Sequence, residues 1–559
     1  MAGPMDTRAK ELIAQGDHLF TKKLPMLTMW QEFAEHFYPE RADFTISRSL
    51  GQDFAGNLMT SYPILCRREL GSSFSGMLRP TEKDWFKTSI FREDKVDNAG
   101  RAWLEAKTKV QKRAMYDPAT GFIRATKEGD NDFATFGQCV ITTELNNRRD
   151  ALLFRNRHLR DVAWCENHEG KIDVIHDKHK MTARDLTRLF KGKPGVTLHP
   201  KIAEAMAKNP YQEFNIRRIV MPSEDYASSA PDGKRWREPY VSIYVDVDNG
   251  HIIEETGSWT LIYTIPRWQT VSGSQYAYSP CTIAGLPDAR LIQDMTRVLL
   301  EAGEKAVNPP MIAKQDVIRS DISIFAGGVT WTDRDYDENL GEALRPMSND
   351  YSGIPLGIEL REDIKKSLMQ AFYLNKLNMP TPGPNMTAYE VGQRIQEYIR
   401  QALPLFEPME MDYNGSLCMN AFETLMRAGA FGSVHDMPQS LRGQDIQFQF
   451  ESPLHEAVDR QKGHTFMEAK AMLAEAAALD QGVVGIVDIR TTIRDVLEGI
   501  GTPAKWMRTE DQMNEIDRAN AEKQSQQELL ATMMQGAEVA EQAGKAGEAL
   551  KSVQQPIPA

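Results

Sequence analysis

Residues 378–385 read Asn-Met-Pro-Thr-Pro-Gly-Pro-Asn, three prolines and one glycine in eight positions. Proline has no backbone donor and disfavours the α region at the residue before it, so this run can be neither helix nor inner strand. Yet helical text lies on both sides. Upstream, residues from about 359 to 377 carry Ile364, Leu368, Phe372 and Leu374 as an apolar stripe. Downstream, Thr387 and Glu390 form a capping box, and Val391, Ile395, Tyr398, Ile399, Ala402 and Phe406 make the face of a long helix with kinks expected at Pro404 and Pro408. The chain must therefore place a stiff non-helical loop between two long helices.

The remaining text sorts into helical and strand-rich tracts. Pro287 and Asp288 are read as the start of a further helix running to Ala306, with proline in the first turn and an acid at the positive end of the dipole. Its stripe is Leu291, Ile292, Met295, Val298, Leu299, Ala302 and Ala306, and Asn308-Pro309-Pro310 stops it. Gly327-Gly328 and a short alternating run from Val329 to Thr332 follow. Near the N-terminus, Leu12, Leu19 and Phe20, then Trp30, Phe33, Ala34 and Phe37, predict helix closed by Pro39; residues 62–78 predict a second helix ended by Arg79-Pro80. Between about 133 and 263 short strands are expected at 138–144, 160–164, 171–175, 213–220, 240–246 and 259–265, with Glu169-Gly170 as a hairpin turn. The last hundred residues are helical, and 524–559 form a Gln- and Ala-rich low-complexity tail. The fold class is α+β.

Composition excludes several functions. With 66 Lys+Arg against 78 Asp+Glu the 559-residue chain carries −12, so it is not a general electrostatic binder of nucleic acid. No apolar run is long enough for a bilayer, the N-terminus has no secretory pattern, and Cys66, Cys139, Cys165, Cys281 and Cys418 are scattered; the expectation is a soluble intracellular protein with reduced thiols and no membrane partner. There is no phosphate-cradling G-x-x-x-x-G-K-[ST] motif. Gly71-Ser-Ser-Phe-Ser-Gly76 misses the nucleophile-elbow spacing and reads as small residues for close helix packing. Cys165, His168, His176 and His179 offer a zinc-type donor set, the basis of an alternative reading as a zinc-dependent enzyme. Against it, His176 and His179 are three apart in extended text and point to opposite faces. Asp333, Asp335, Asp337 and Glu338 read as a solvated turn rather than a magnesium site. Neither catalysis nor a cofactor is expected.

Five blocks occur in a telling order: Leu70-Gly-Ser-Ser-Phe-Ser-Gly-Met-Leu-Arg-Pro-Thr-Glu-Lys-Asp-Trp-Phe86; Phe136-Gly-Gln-Cys-Val-Ile141; Pro266-Arg-Trp268 with Tyr276-Ala-Tyr-Ser-Pro280 and Leu286-Pro-Asp288; Asn308-Pro-Pro310; and Met386-Thr-Ala-Tyr-Glu-Val391. In this order the chain resembles the head-to-tail connector, or portal, proteins of short-tailed bacteriophages, roughly from Met5 to Asn520. It departs locally: Pro266-Arg-Trp268 lacks a residue between proline and arginine, Ala277 replaces a usual glycine, and Tyr389 replaces a small hydroxyl residue.

The resemblance implies a portal fold, a mainly helical wing, stem and crown with a β-rich wing subdomain and a small α/β clip. It assigns 1–285 to the wing, 286–307 and 356–377 to stem helices and 308–355 to the clip. Residues 378–386 become the channel loop, 387–450 the long kinked helix and wing closure, 451–523 the crown, and 524–559 the tail. It further implies a ring, a dodecamer, at one capsid vertex, through which double-stranded DNA is packaged and ejected. The partners expected are further copies of the chain, major capsid protein, scaffolding protein, the terminase large subunit, tail adaptors and internal core or ejection proteins. The location expected is the virion's head–tail junction, and host cytoplasm during assembly. Another ring-forming tail component is the remaining alternative. The loop residues Asn378, Met379, Thr381, Asn385 and Met386 are the expected points of contact with DNA. The clip segment holds eight acids against four bases, and Asp333, Asp335, Asp337 and Glu338 are expected to keep DNA from adhering.

Overall fold

The computed structural model describes residues 6–49, 51–91, 98–229, 236–314, 353–377, 409–433 and 436–450, residues 316–347 apart from 319, 324–328, 336, 338 and 340, and a few positions between 493 and 527. The chain forms two compact units. The first comprises Met1–Phe91, Ala106–Asp436 and Asp445–Val458; the second comprises Arg92–Glu105, Met437–Gln444 and Asp459–Ala559. In the second, the described residues include a short 3-10 turn at Gln439–Leu441.

The first unit opens with α1 (Thr7–Phe37), capped by Asp6, whose carboxylate accepts from the Arg8 N–H at 3.0 Å. The expected stripe is its buried face: Trp30, Phe33, Ala34 and Phe37 are all sealed, and each large one contributes about 1.5–3 kcal/mol of transfer free energy. Helix α2 (Tyr62–Leu78) has the bounds read from sequence. After β1 (Phe86–Ile90) come α3 (Asn98–Met115), of which residues from Ala106 on belong to this unit, and α4 (Phe122–Phe136), two helices the sequence reading did not place. Gly71 lets α2 approach α4, since a Cβ there would lie 2.7 Å from Asn131 Oδ1, whereas Gly76 faces open space.

Strands β2 (Val140–Leu145), β3 (Leu152–Arg157) and β9 (Tyr263–Thr264) form a sheet in the order β3-β2-β9. A five-stranded antiparallel meander follows the order β4-β5-β6-β7-β8: β4 (Val162–Glu166), β5 (Ile172–Thr182), β6 (Glu213–Pro222), β7 (Tyr240–Asp246) and β8 (His251–Ser258). Gly170, at φ +77°, makes the expected turn between β4 and β5. Between β5 and β6 sits an unforeseen helix pair, α5 (Ala183–Phe190) and α6 (Pro200–Lys208), and α7 (Ser223–Ser229) follows β6. The strand expected at 259–265 is a correction. The regular strand is β8, a polar edge strand whose mixed residues gave no alternation, and only Tyr263 and Thr264 of the expected run are paired.

The C-terminal half of this unit contains α8 (Pro280–Val307), β10 (Met311–Ala313), β11 (Leu344–Pro346), α9 (Gly353–Ala371), α10 (Leu374–Leu377), a π-helical turn (Met409–Gly415), α11 (Ser416–Arg427) and β12 (Ile446–Phe450), which pairs antiparallel with β1. Two expectations shift. Helix α8 begins at Pro280, not Pro287; both prolines suit a first turn, and Pro287 is accommodated inside the helix because the Ile283 carbonyl it deprives of a donor belongs to a solvent-facing residue. The helix expected through Leu377 breaks at Tyr373, whose φ of +55° ends α9 before α10 restarts.

Candidate functional site

The two long helices flanking residues 308–352 form an antiparallel hairpin, and its base is bolted to the end of α4. Ser279 Oγ donates to the Ala134 carbonyl at 2.7 Å and Thr282 Oγ1 to the Thr135 carbonyl at 2.8 Å. The Ala277 N–H donates to Gln138 Oε1 at 2.9 Å, and the Trp268 N–H to the Gly137 carbonyl at 2.8 Å. Gly137 makes this junction possible: it sits at φ +74°, and a Cβ there would lie 2.2 Å from the Tyr278 carbonyl carbon.

From that base, Cys281, Ala289 and Ile292 of α8 are buried with Leu368 of α9, Phe372 just past its end and Phe37 of α1. Gly285 lies opposite Phe372 and Leu368, and Gly357 opposite Leu299, which fixes the antiparallel register. Beyond Thr296 on α8 and before Leu368 on α9, no described residue of either helix is buried. The hairpin nonetheless exposes apolar side chains: Val298, Leu300, Val307, Leu356, Ile358 and Leu360 in this stretch, and Leu291 nearer the base, are 44–88% exposed. Of the stripe read on α8, Ile292 is buried, Met295, Leu299 and Ala302 are half-buried, and Leu291, Val298 and Ala306 are exposed.

Charges on the hairpin are largely cancelled locally. Arg297 lies 3.8 Å from Asp294 and 3.7 Å from Glu301, Lys365 pairs with Glu362 at 2.7 Å, Lys366 with Asp363 at 3.0 Å, and Arg290 reaches Glu32 on α1. The hydrogen bond from Lys365 holds the Glu362 carboxyl below its ordinary range. Such exposed pairs add little stability, but they leave the helices without a strong field of either sign.

At the far end, β10 and β11 pair antiparallel and Ile318 bridges Thr332. Asp333 is half-buried; its N–H donates to the Val317 carbonyl and its carboxylate accepts from the Arg334 N–H at 2.7 Å. Asp335 and Asp337 are exposed, and Asp337 Oδ1 accepts from the Asn339 N–H and side-chain amide, both at 2.9 Å. Glu338 lies outside the described residues, as do Asn378, Met379, Thr381, Asn385 and Met386. What the structure gives for the loop is its mooring. Leu374 and Leu377 enter the main core immediately before it, and Met409 is buried in the same core after it. The π-helical turn that follows buries Tyr413 beneath the Arg79 guanidinium, 4.8 Å from the ring centroid. Arg79 donates to Asn414 Oδ1 at 2.8 Å and pairs with Asp130, which keeps the guanidinium protonated despite complete burial. Leu377 and Met409, on either side of residues 378–408, thus sit in one core.

Residues 9–507 match the model of the family described as bacteriophage head to tail connecting protein. The chain belongs to that family. It is 22% identical over 552 residues to a probable portal protein of Bordetella phage BPP-1, covering 96% of each chain, and 21% identical over 337 residues to the portal protein of Salmonella phage epsilon15, covering 59% of this chain and 58% of that one. Among solved structures, a chain from the neck of an empty gene transfer agent particle has 9% identity and a TM-score of 0.34 over 80% of this chain and 98% of its own; one from the native gene transfer agent virion has 8% and 0.33 over 78% and 95%.

Within this connector-family chain, the aromatic residues of the first and third motif blocks are packing residues, while the block at 386–391 lies outside the described residues. Trp85 and Phe86 are sealed, Trp268 stacks on Phe133 at 5.1 Å, and Tyr276 meets Trp164 at 4.6 Å and Trp30 at 5.8 Å. The zinc-type residues are not brought together. His176 faces α1, close against Gly16, while His179, on the opposite face of β5, lies 3.0 Å from Asp177. Cys165 sits opposite Val174 and His168 is exposed in the turn. Among the described residues no group of three or more His, Cys, Asp or Glu could hold a metal ion, and no helix is long and apolar enough to cross a membrane.

Proposed function

We propose that this chain is the subunit of a phage portal: a ring at one capsid vertex that conducts double-stranded DNA during packaging and ejection and carries the packaging ATPase and the tail in turn. The observation that carries this reading is the hairpin of α8 and α9, whose seven large apolar side chains are left exposed by the described residues of the chain. In water an apolar surface of that extent marks an interface, and a closed ring of identical subunits covers it for every copy. On this reading α8 and α9 are the stem, the segment between them the clip and 378–386 the loop facing DNA. The ring would work by holding and docking, with no bond made or broken by its own side chains. Its partners would be further copies of itself, major capsid and scaffolding proteins, the terminase large subunit, tail adaptors and internal ejection proteins, in host cytoplasm during assembly and then in the virion.

Native mass spectrometry tests the ring. A closed assembly of about a dozen subunits of 63.2 kDa is expected, and Leu300→Glu with Leu356→Glu should return it to smaller species. A protein that stays monomeric both alone and when co-expressed with its scaffolding protein overturns the reading.

A further inference from the structure

Helices α5 and α6 interrupt the meander between two strands that pair directly, β5 and β6, so the sheet does not need them to close. They have their own core: Ala183, Leu186, Phe190, Ile202 and Ala205 pack with Phe214, Ile216 and Ile253. The buried positions set the outward ones. Arg184 and Arg188 are one turn apart on one flank of α5, about 6 Å along the axis, and Lys201 and Lys208 are two turns apart on one flank of α6, about 10 Å. Lys191 and Lys193 occupy the connection. Residues 183–209 hold these six bases against two acids, Asp185 and Glu204, in a chain whose net charge is −12.

Most of the bases on this surface lack a carboxylate partner among the described residues, as do some others on the molecule such as Lys109 and Arg113. Elsewhere Arg41, Arg79, Arg157, Arg217, Arg290 and Lys365 each have a carboxylate partner. In the module only Lys193 does, with Glu254 at 3.3 Å; Arg184, Arg188, Lys191, Lys201 and Lys208 form no ion pair among the described residues. Asp185 is occupied as the cap partner of Thr182, and the nearby Asp248 is held by Asn215. All of these unpaired bases but half-buried Arg184 are exposed.

We propose that the α5–α6 module is a second DNA contact, binding the phosphate backbone of double-stranded DNA without regard to sequence. The surface chemistry favours nucleic acid over a protein. Protein interfaces are built on buried aromatic and aliphatic anchors and are depleted in lysine. Residues 183–209 expose no large apolar side chain and several lysines. Unpaired cations with no apolar centre gain their binding free energy from releasing the counterions of a polyanion. This inference does not depend on ring formation.

The test is binding of a fluorescent random-sequence 30-base-pair duplex by the full-length protein across a sodium chloride series. Arg188→Glu, Lys191→Glu, Lys201→Glu and Lys208→Glu together should weaken binding at least tenfold at 50 mM salt and flatten the salt slope by about three to four, roughly one per lost phosphate contact. The milder set R188Q, K191Q, K201Q and K208Q should lie between, which guards against misfolding of the first. A control with the same charge change at exposed Arg68, Lys109, Arg113 and Arg124 should lose no more than about twofold. Equal losses in module and control variants, an unchanged slope, or capture of an acidic protein without DNA binding would overturn the proposal.

Discussion

His176 is sealed beneath α1, where a Cβ on Gly16 would fall 2.5 Å from its Nδ1. Beside it Arg217 reaches across from β6 to donate to the Ile13 carbonyl at 2.7 Å and to Asp17 at 2.8 Å. Burial first, and the guanidinium second, push the imidazole down to about 3, with Asp17 opposing weakly. The ring is therefore neutral in the folded chain, while the unfolded chain takes up a proton near pH 6.5. Stability from this residue is complete above that pH and falls as pH drops towards 3, by about 2 kcal/mol at pH 5. His176→Gln should be less stable at pH 7 yet lose less between pH 6.5 and 4.5, with about one fewer proton taken up on unfolding; parallel urea midpoints for the two proteins across that range would refute it. Nothing in the sequence flagged this residue as structural except its position opposite His179. Lys23 was less legible still. A lysine in a helix reads as a solvated charge, yet here its ammonium donates to the carbonyls of Leu159, Arg160 and Val162 at 2.8, 3.1 and 2.5 Å, and burial brings it down to about 7. That role depends on three carbonyls more than 130 residues away, which no local pattern encodes.

Elements were legible where their own residues decide them and obscure where packing does. Helix α2 is bounded by Pro63 and Pro80, and α1 by its aromatic stripe, so both could be read directly. Helices α3 and α4 could not: the buried residues of α4 include Thr126, Gly129, Asp130, Asp132 and Thr135, polar or small groups that blur the stripe. For α8 the apolar period could be read but what covers it could not, because periodicity shows which face avoids water but not whether the same chain covers it. The junction that carries this helix is a sharper case. Phe136-Gly137 was visible as a motif, but the reason for glycine lies in Tyr278 and Ser279, against whose backbone it is pressed. Gly137→Ala must relieve both a positive φ and a backbone clash, so the cost should reach about 3 kcal/mol or more. Since Ser279 and Thr282 bond to α4 just beyond it, the variant should also loosen the base of α8. Faster hydrogen exchange through residues 277–285, alongside a lowered melting temperature, is expected; a melting temperature within 1 °C of wild type would show that the junction yields.

Across the whole molecule, charge is divided by region rather than spread evenly. The hairpin helices cancel their charges in local pairs, the α5–α6 module concentrates unpaired bases, and the segment 308–355 is acidic, eight carboxylates against four bases. A conduit benefits from that last property: a sleeve facing DNA with carboxylates displaces no counterions and gives the duplex nothing to hold. We propose that Asp333, Asp335 and Asp337 serve in this way. The sequence made the acid excess plain, and the structure adds that Asp335 and Asp337 are exposed while Asp333 also shapes the turn through its bond with the Arg334 N–H. Replacing all three with lysine changes the segment by six charges per subunit, from a net −4 to +2, and in a ring that change is multiplied by every copy. DNA should then adhere, and packaging should slow several-fold at low salt. The defect should shrink as added salt shortens the screening length from about 30 Å at 10 mM to about 8 Å at 150 mM. Asparagine at the same three positions removes repulsion without adding attraction and keeps the side-chain acceptor at 333, so it separates loss of the turn from gain of grip. If the lysine and asparagine variants package at the wild-type rate at every salt concentration, these carboxylates do not face the DNA.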